Sequence, residues 1–429
     1  MDLPKYMYPK FYNYSLSKYN KEIIEPKDIR LFKNLKLSKD FKNIEKIHLD
    51  QYHINKDTWS EKYQNLSKED YKRENEYFLL DFIDIFKKQY WISKKYNLGN
   101  GFSNAFRKIY EVCYLTDFIK KGDNSKVLKH FDICGFPGAF ILGINYFINT
   151  QTSIKNYDWY IQSYVKDKGE KNYFTDEFGL AKKYPSHFLS GPSKGDITKR
   201  KSIEYYFSFF EKEKRDIVTS DCGLGFRELW DSEKGYGREK QMMKTFFSQF
   251  VCGLGVLKRG GNFFMKTYHS FSPFMISLVY LMGCLFEKVN LVKPESSRQP
   301  GGKEIYILCK KLKNEPDVKF KNKLLDILEN FTENDLEKNI LSSNKIDKEV
   351  LKNIEEGFIK YYINKLHIRE LSNDFIINLV GVDIFERPEE YFQIKDELKK
   401  ELNPIMVRYV NNYLKKMKYK KIKNEDKLI

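Results

Sequence analysis

Between about residue 95 and residue 312 the chain alternates short apolar runs with helix-like segments, and the apolar runs end at glycine or a charged residue. Val127–Ile133 has the length and content of a buried strand and runs into the turn Gly135-Phe136-Pro137-Gly138. Phe140–Ile148 reads as a helix, and Trp159–Val165 as a second strand. Arg215–Ser220 is a third strand, stopping at Asp221. Glu239–Leu257 predicts a helix broken by Lys258-Arg-Gly-Gly261, after which Asn262–Lys266 is a strand. Phe271–Leu285 follows as a helix, then Lys288–Val292 and Glu304–Cys309 as strands separated by a basic loop. This alternation requires an α/β sheet with helices on both faces. Ligands of such sheets bind outside the carboxyl ends of the strands. The glycine turn, Asp221 and Lys266 all sit at such ends.

The flanks have a different texture. Residues 1–94 are polar, rich in Tyr and Lys and poor in glycine, with an amphipathic helix expected over Tyr77–Phe86. They hold too few apolar residues for a core of their own, so they are expected to wrap over another part of the chain. Residues 313–429 lose glycine almost entirely, and Leu351, Ile354, Phe358, Ile359 and Tyr362 recur at helical spacing. We therefore divide the chain into an accessory region (1–94), a central α/β domain (95–312) and a helical basic region (313–429). The basic tail from Leu414 to Asn424 is expected to be a solvated helix end; an arm that follows RNA is the alternative.

The 76 basic residues exceed the 59 acidic ones, giving +17. This favours a polyanionic partner, although a codon bias toward Lys, Asn, Ile, Tyr and Phe explains the same excess. The six cysteines are scattered, without a Cys-x-x-Cys pair, and most lie in apolar runs. They are expected to be free core residues in a reducing, intracellular compartment, with neither zinc site nor disulfide framework. The six histidines show no ligand spacing. No signal-type run opens the chain, and the longest apolar run, Phe274–Phe286, is too short to span a bilayer. A soluble protein without a membrane partner is expected.

Four segments carry chemistry, and each has a plainer reading when taken alone. Asp132-Ile-Cys134-Gly135-Phe136-Pro137-Gly138 is a tight turn that brings backbone close to a ligand, or a structural turn. Asp196, in Gly195-Asp-Ile-Thr198, is a further acceptor for a nucleoside, or a turn cap. Asp221 follows an apolar strand directly and points into a crevice, or is a turn aspartate. Lys266 follows another apolar strand, where an ammonium must pair, titrate or reach for solvent. The stretch Lys293-Pro-Glu-Ser-Ser297-Arg298 is a phosphate-binding loop with Arg298 as the fork donor, or an exposed hairpin. Glu304 opens the strand after it. The spacing Gly-x-Gly-x-x-Gly of dinucleotide oxidoreductases is absent.

In order and context these segments resemble the FtsJ/RrmJ-type RNA ribose 2′-O-methyltransferases, over roughly residues 100–312. The divergent FtsJ-like proteins of large cytoplasmic DNA viruses such as African swine fever virus, regarded as mRNA cap methyltransferases, are the most similar in kind. Asn104-Ala-Phe-Arg-Lys108-Ile-Tyr-Glu111 resembles the family helix that carries its first lysine. The resemblance implies a Rossmann-like fold with a mixed seven-stranded sheet, mainly helical flanks and S-adenosylmethionine as cofactor, leaving S-adenosylhomocysteine. It implies a catalytic tetrad of Lys108, Asp221, Lys266 and Glu304. It implies cofactor contacts from Asp132, Cys134, Gly135, Phe136, Pro137, Gly138, Asp196 and Asp221, and RNA contacts from Lys293, Ser297 and Arg298. Two departures stand out: Cys134 and Phe136 replace small residues, and the second strand lacks the acid that holds the cofactor ribose.

The chemistry expected is methyl transfer to a ribose 2′-hydroxyl, with Lys266 as base. A like-charged neighbour and desolvation are expected to lower its pKa, and no metal is required. The capped 5′ end of mRNA is the expected substrate, with the capping or transcription machinery as possible partners and a virion or host cytoplasm as the site if the chain is viral. Ribosomal RNA, or a non-catalytic RNA-binding role in a capping or polymerase complex, are the alternatives. Oligomeric state is not legible.

Overall fold

A computed structural model describes residues 10–16, 22–44, 86, 91–99, 101–165, 175–223, 238–268, 271–297, 304–380 and 388–429. The N-terminal part supplies strands β1 (Tyr12–Ser15) and β2 (Ile29–Phe32) and helices α1 (Trp91–Tyr96) and α2 (Asn104–Thr116). The centre runs β3 (Val127–Ile133), α3 (Ala139–Gln151), β4 (Asn156–Gln162), α4 (Leu180–Lys183), β5 (Phe188–Leu189) and α5 (Arg200–Phe209). It continues with β6 (Arg215–Ser220), α6 (Arg238–Val256), β7 (Leu257–Thr267), α7 (Pro273–Leu285), β8 (Phe286–Lys293) and β9 (Ile305–Leu312). The C-terminal part adds α8 (Val318–Glu329), β10 (Asn339–Leu341), α9 (Lys348–Val380) and α10 (Pro388–Lys416).

The main sheet has eight strands in the order β1-β8-β9-β7-β6-β3-β4-β5. Strands β3 to β7 pair in parallel, whereas β9 is antiparallel to both β7 and β8. These are the seven mixed strands expected for a Rossmann-like methyltransferase. The eighth, β1, is a Tyr-Asn-Tyr-Ser segment that adds antiparallel to β8 at the edge. The order in which strands are added reverses at β3: β4 and β5 lie on one side, β6 and β7 on the other, all parallel. The crevice at the carboxyl ends of β3 and β6 is therefore the topological switch point, where such sheets bind ligands.

Strand side chains alternate between two apolar layers. Phe131, Ile133, Val218, Phe263 and Met265 face the layer that also holds residues of α5, α6 and α7. Leu128, Ile161, Ile217, Phe264 and Tyr306 face the layer built with α2, α3 and α10. By the same two-residue period, Asp132, Thr219 and Lys266 belong to the α2/α3 side. Helix α2 starts where Ser103 accepts a hydrogen bond from the Phe106 amide, and α7 starts at Ser272, which accepts from the Met275 amide and is followed by Pro273.

Three expectations are corrected. The second strand lies at 156–162, three residues earlier than expected, because the chain beyond Gln162 leaves the sheet: Ser163 Oγ accepts from the Phe136 amide and Val165 N donates to Lys194 O. Gly260 and Gly261 do not separate a helix from a strand; they lie inside β7. Gly261 packs against β6, where a Cβ would stand 2.9 Å from Asp216 O. The basic tail is not a solvated end. Met417, Tyr419 and Ile422 are buried beside α2 and α3, while Tyr110 and Tyr146 hydroxyls donate to Met417 O and Lys420 O. Its lysines obscured an apolar inner edge. The helix expected at Tyr77–Phe86 lies outside the described residues, apart from the buried Phe86.

The N-terminal segment does wrap over other parts: β1 joins the main sheet, and β2 pairs with β10. Close approach of α2 and α3 depends on Gly143, where a Cβ would meet Ile109 Cγ2 at 2.5 Å and Phe106 O at 2.8 Å. Replacing Gly143 with Val should force the helices apart and lower stability by about 1–3 kcal/mol. A urea unfolding midpoint unchanged from wild type would contradict this packing.

Candidate active site

Lys108, from the buried face of α2, reaches the crevice with an ammonium that cannot be left unpaired. Its Nζ lies 3.1 Å from Glu304 Oε1 and 3.2 Å from Oε2. It also donates to Tyr306 Oη at 2.8 Å and lies 3.9 Å from Asp221 Oδ2. The Tyr306 hydroxyl in turn donates to Asp221 Oδ1 at 3.2 Å. Lys266 Nζ, at the end of β7, is 3.2 Å from the same Oδ1 and donates to Asp221 O at 2.8 Å. The structure thus brings Lys108, Asp221, Lys266 and Glu304 together in one chain of contacts. Tyr306 bridges it, its ring stacked on Phe264 at 4.6 Å. Sequence reasoning missed Tyr306; its place two residues into β9, with a side chain on the α2 side, was the available signal.

The electrostatics differ from expectation at Lys266. Burial alone would lower its pKa, but the Asp221 carboxylate, then Tyr268 and Glu304, outweigh burial and hold it above the usual lysine value. Lys266 is an ammonium in this arrangement. Burial works to raise the pKa of Glu304, yet Lys108, Lys293 and Lys266 hold it well below the usual carboxylate range. Tyr306 is raised, first by burial and then by Asp221 and Glu304, so it stays a neutral phenol. Gly223 leaves room beside the lysine: a Cβ there would stand 3.1 Å from Lys266 Nζ and 3.2 Å from Tyr268 Oη.

The adjoining crevice is shaped by the turn after β3. Gly135 is required because any Cβ there would collide with the Asp132 carboxyl group, and Gly138 has φ +107°. Gln162 ties the turn to its neighbour: its Oε1 accepts from the Cys134 amide, and its Nε2 donates to Gly195 O at 2.5 Å. Phe136 and Pro137 are half-buried in the turn, the Phe136 ring edge-on to Phe188 with centroids 5.8 Å apart. Asp196 lies beside it but spends Oδ1 on its own turn, accepting from Thr198 N at 2.9 Å and Thr198 Oγ1 at 2.7 Å.

Asp132 Oδ1 accepts from Thr219 Oγ1 at 2.6 Å; Thr219 Oγ1 meets His130 Nε2 at 2.7 Å, and His130 Nδ1 meets Tyr157 Oη at 2.6 Å. Burial, followed by Arg215, pushes His130 down to about 3, so the ring is neutral. Asp132 Oδ2 is buried with no hydrogen-bond partner among the described residues. An unsatisfied carboxyl oxygen under a glycine turn fits a ligand that brings a donor to it.

Cys134 and Cys222 form a disulfide, with Cα atoms 5.0 Å apart. This corrects the reading of all cysteines as free, and the cysteine pattern no longer argues for a reducing compartment. The pair links the turn after β3 to the residue after Asp221. It was illegible because residues 88 apart in sequence meet only when β3 and β6 lie side by side. Cys113, Cys252, Cys284 and Cys309 are free and buried, as expected.

Residues 102–312 match the model of FtsJ-like methyltransferases. This stretch of the chain is similar to the FtsJ-like methyltransferase family. A cap-specific mRNA (nucleoside-2′-O-)-methyltransferase 2 of Danio rerio is 27% identical over 48% of this chain and 28% of its own length. The human cap-specific mRNA (nucleoside-2′-O-)-methyltransferase 1 is 26% identical over 45% of this chain and 22% of its own. A probable methyltransferase of African swine fever virus is 26% identical over 68% of this chain and 66% of its own. The chain thus spans less than a third of the two animal enzymes it matches.

Within the FtsJ-like stretch, the residues expected to touch RNA face inward. Lys293 is buried, and its Nζ donates to Glu304 O at 2.6 Å. Ser297 is also buried, and its hydroxyl donates to Glu304 Oε1 at 2.7 Å. Both bond to Glu304 rather than presenting themselves to a polyanion. Arg298 lies outside the described residues. No helix among the described residues is long and apolar enough to cross a membrane.

One turn beyond Lys108, Glu111 is fully buried and accepts from the amides of Glu295 and Ser296. Burial, then the Glu295 carboxylate, push its pKa up to about 7 from 4.5. Between those values the folded protein keeps a proton that the unfolded chain has lost, so stability falls as pH rises through the window. Glu111→Gln should flatten that fall by on the order of 1–3 kcal/mol. Urea unfolding of both proteins at pH 5 and above pH 7 measures it; equal pH dependence would contradict the assignment.

Proposed function

We propose that this chain is an S-adenosylmethionine-dependent RNA ribose 2′-O-methyltransferase acting on the first transcribed nucleotide of capped mRNA, converting cap-0 to cap-1. The observation that carries the reading is the contact chain from Glu304 through Lys108 and Tyr306 to Asp221 and Lys266, at the switch point of an FtsJ-like fold. The names of the animal relatives favour the cap over ribosomal RNA, which is the second reading within the same chemistry. A non-catalytic RNA-binding subunit would have no need of two buried lysines held in register by two carboxylates and a tyrosine.

S-adenosylmethionine supplies a methyl group already activated on a sulfonium, so the protein must align the reactants and accept a proton. Asp132, Gly135, Phe136, Pro137 and Gly138, with Cys134 held in its disulfide, would line one side of the cofactor site. Asp196 would lie at its far edge, and Asp221 would border it near the reacting centre. Lys266 is the base in this account. A cation bound nearby opposes the effect of Asp221 and favours the neutral amine. Asp221 aims Lys266, Lys108 holds Asp221 and Glu304 in place, and Glu304 acts through Lys108 rather than by touching Lys266.

Labelled S-adenosylmethionine offered with cap-0, uncapped and cap-1 RNAs tests the substrate. Label on cap-0 alone is expected, and equal labelling of uncapped RNA would contradict the cap assignment. Lys266→Arg keeps the cation but cannot lose its proton. We expect this variant to lose methyl transfer by at least about a hundredfold while binding the cofactor in calorimetry as wild type does. Undiminished turnover would remove Lys266 from the base role.

A further inference from the structure

We propose that Glu111 is a positioning residue for this reaction, and that through it the C-terminal helix α10 sets the place of Glu304. The inference rests on the reading of the tetrad given above. Lys108 and Glu111 are three residues apart on α2 and leave the same face. Lys108 grips the Glu304 carboxylate itself. Glu111 grips the loop before it, accepting from Glu295 N at 2.5 Å, Ser296 N at 3.0 Å and Ser296 Oγ at 2.7 Å. The next residue, Ser297, donates to Glu304 Oε1. A ring therefore closes: from α2 through Glu111 to the loop, through Ser297 to Glu304, and through Lys108 back to α2. Two anchors on one rigid helix leave the carboxylate little freedom to turn.

The C-terminal helix enters the ring from outside. Tyr413 donates to Glu111 Oε2 at 2.9 Å, its hydroxyl being the fourth donor to that carboxylate. Glu295, also buried, accepts from Tyr409 at 3.2 Å and pairs with Lys416. Tyr409, Tyr413 and Lys416 follow i, i+4 and i+7 spacing and so share one face of α10. Leu402, Met406 and Val410 pack the same helix into the apolar layer of α2. Breaking either contact releases a loop whose neighbour orients the tetrad, although none of these residues meets the tetrad directly.

The test uses the full chain and three variants: Glu111→Gln, Tyr413→Phe and Lys416→Met. Turnover on the RNA that wild type methylates, cofactor affinity by calorimetry, and amide exchange at Glu295 and Ser296 are measured for each. We expect kcat to fall by roughly tenfold to a hundredfold for Glu111→Gln, by less for the other two, with cofactor affinity unchanged and exchange at the two amides accelerated. A structural role alone would lower the unfolding midpoint and leave the kcat of the folded fraction intact, which would overturn the inference. If Glu111→Gln does not fold, the two α10 variants decide it: accelerated exchange with reduced kcat supports the coupling, and wild-type kcat in both refutes it. A wild type that binds cofactor yet methylates no RNA overturns the functional reading and this inference together; an active wild type with fully active variants overturns this inference alone.

Discussion

The ion pair between Lys108 and Glu304 is the contact on which the site depends. Both groups are largely withdrawn from water, so neither tolerates loss of the other. The pair, two residues 196 apart in sequence, joins α2 to the start of β9 across the end of the sheet. Tyr306 then carries the connection to Asp221, and Asp221 carries it to Lys266. Charges alternate along this line. The consequence is that each charged group is fixed by its neighbours rather than by solvent, which is the preorganisation that a positioned base requires.

The sheet makes this possible through its period and its direction. Parallel β3, β6 and β7 end on one side, so Asp132, Asp221 and Lys266 arrive at one edge. Antiparallel β9 begins at that edge, which is why Glu304 and Tyr306 come from the start of a strand and not its end. The two apolar layers set the rest. One holds α2 close enough for Lys108 to reach the crevice, and it does so through Gly143 and through the C-terminal segment packed on its outer side. The N- and C-terminal parts thus complete the molecule around its FtsJ-like stretch.

Much of this was legible in the sequence, for identifiable reasons. Apolar runs such as Val127–Ile133 and Arg215–Ser220 have one strong periodicity and sharp ends, and they matched the strands to the residue. The four charged residues at strand or helix edges were legible because buried charge in apolar context demands an explanation. Strand β1 was not, since four residues of Tyr and polar side chains gain their stability from distant partners, β8 beside it and α9, where Tyr12 and Tyr14 donate to Gly357 O and Asn353 Oδ1. The Cys134–Cys222 bond and the clamp by Glu111 depend on which elements become neighbours, which local pattern does not encode. Lys293 and Ser297 were misread for a related reason: a basic, serine-containing loop looks solvent-exposed until its side chains are seen to turn toward a buried carboxylate. The raised pKa of Lys266 was missed because the nearest charge to it is Asp221, not the other lysine.

The proposed function is delivery of a methyl group to a ribose hydroxyl. The most direct measurement compares two capped RNAs that differ by one atom, the first nucleotide carrying either a 2′-hydroxyl or a 2′-hydrogen, as acceptors from labelled S-adenosylmethionine. Label on the first and none on the second is expected, with the two RNAs binding alike. Equal labelling of the 2′-deoxy RNA would place the acceptor on a base or on the cap and contradict it.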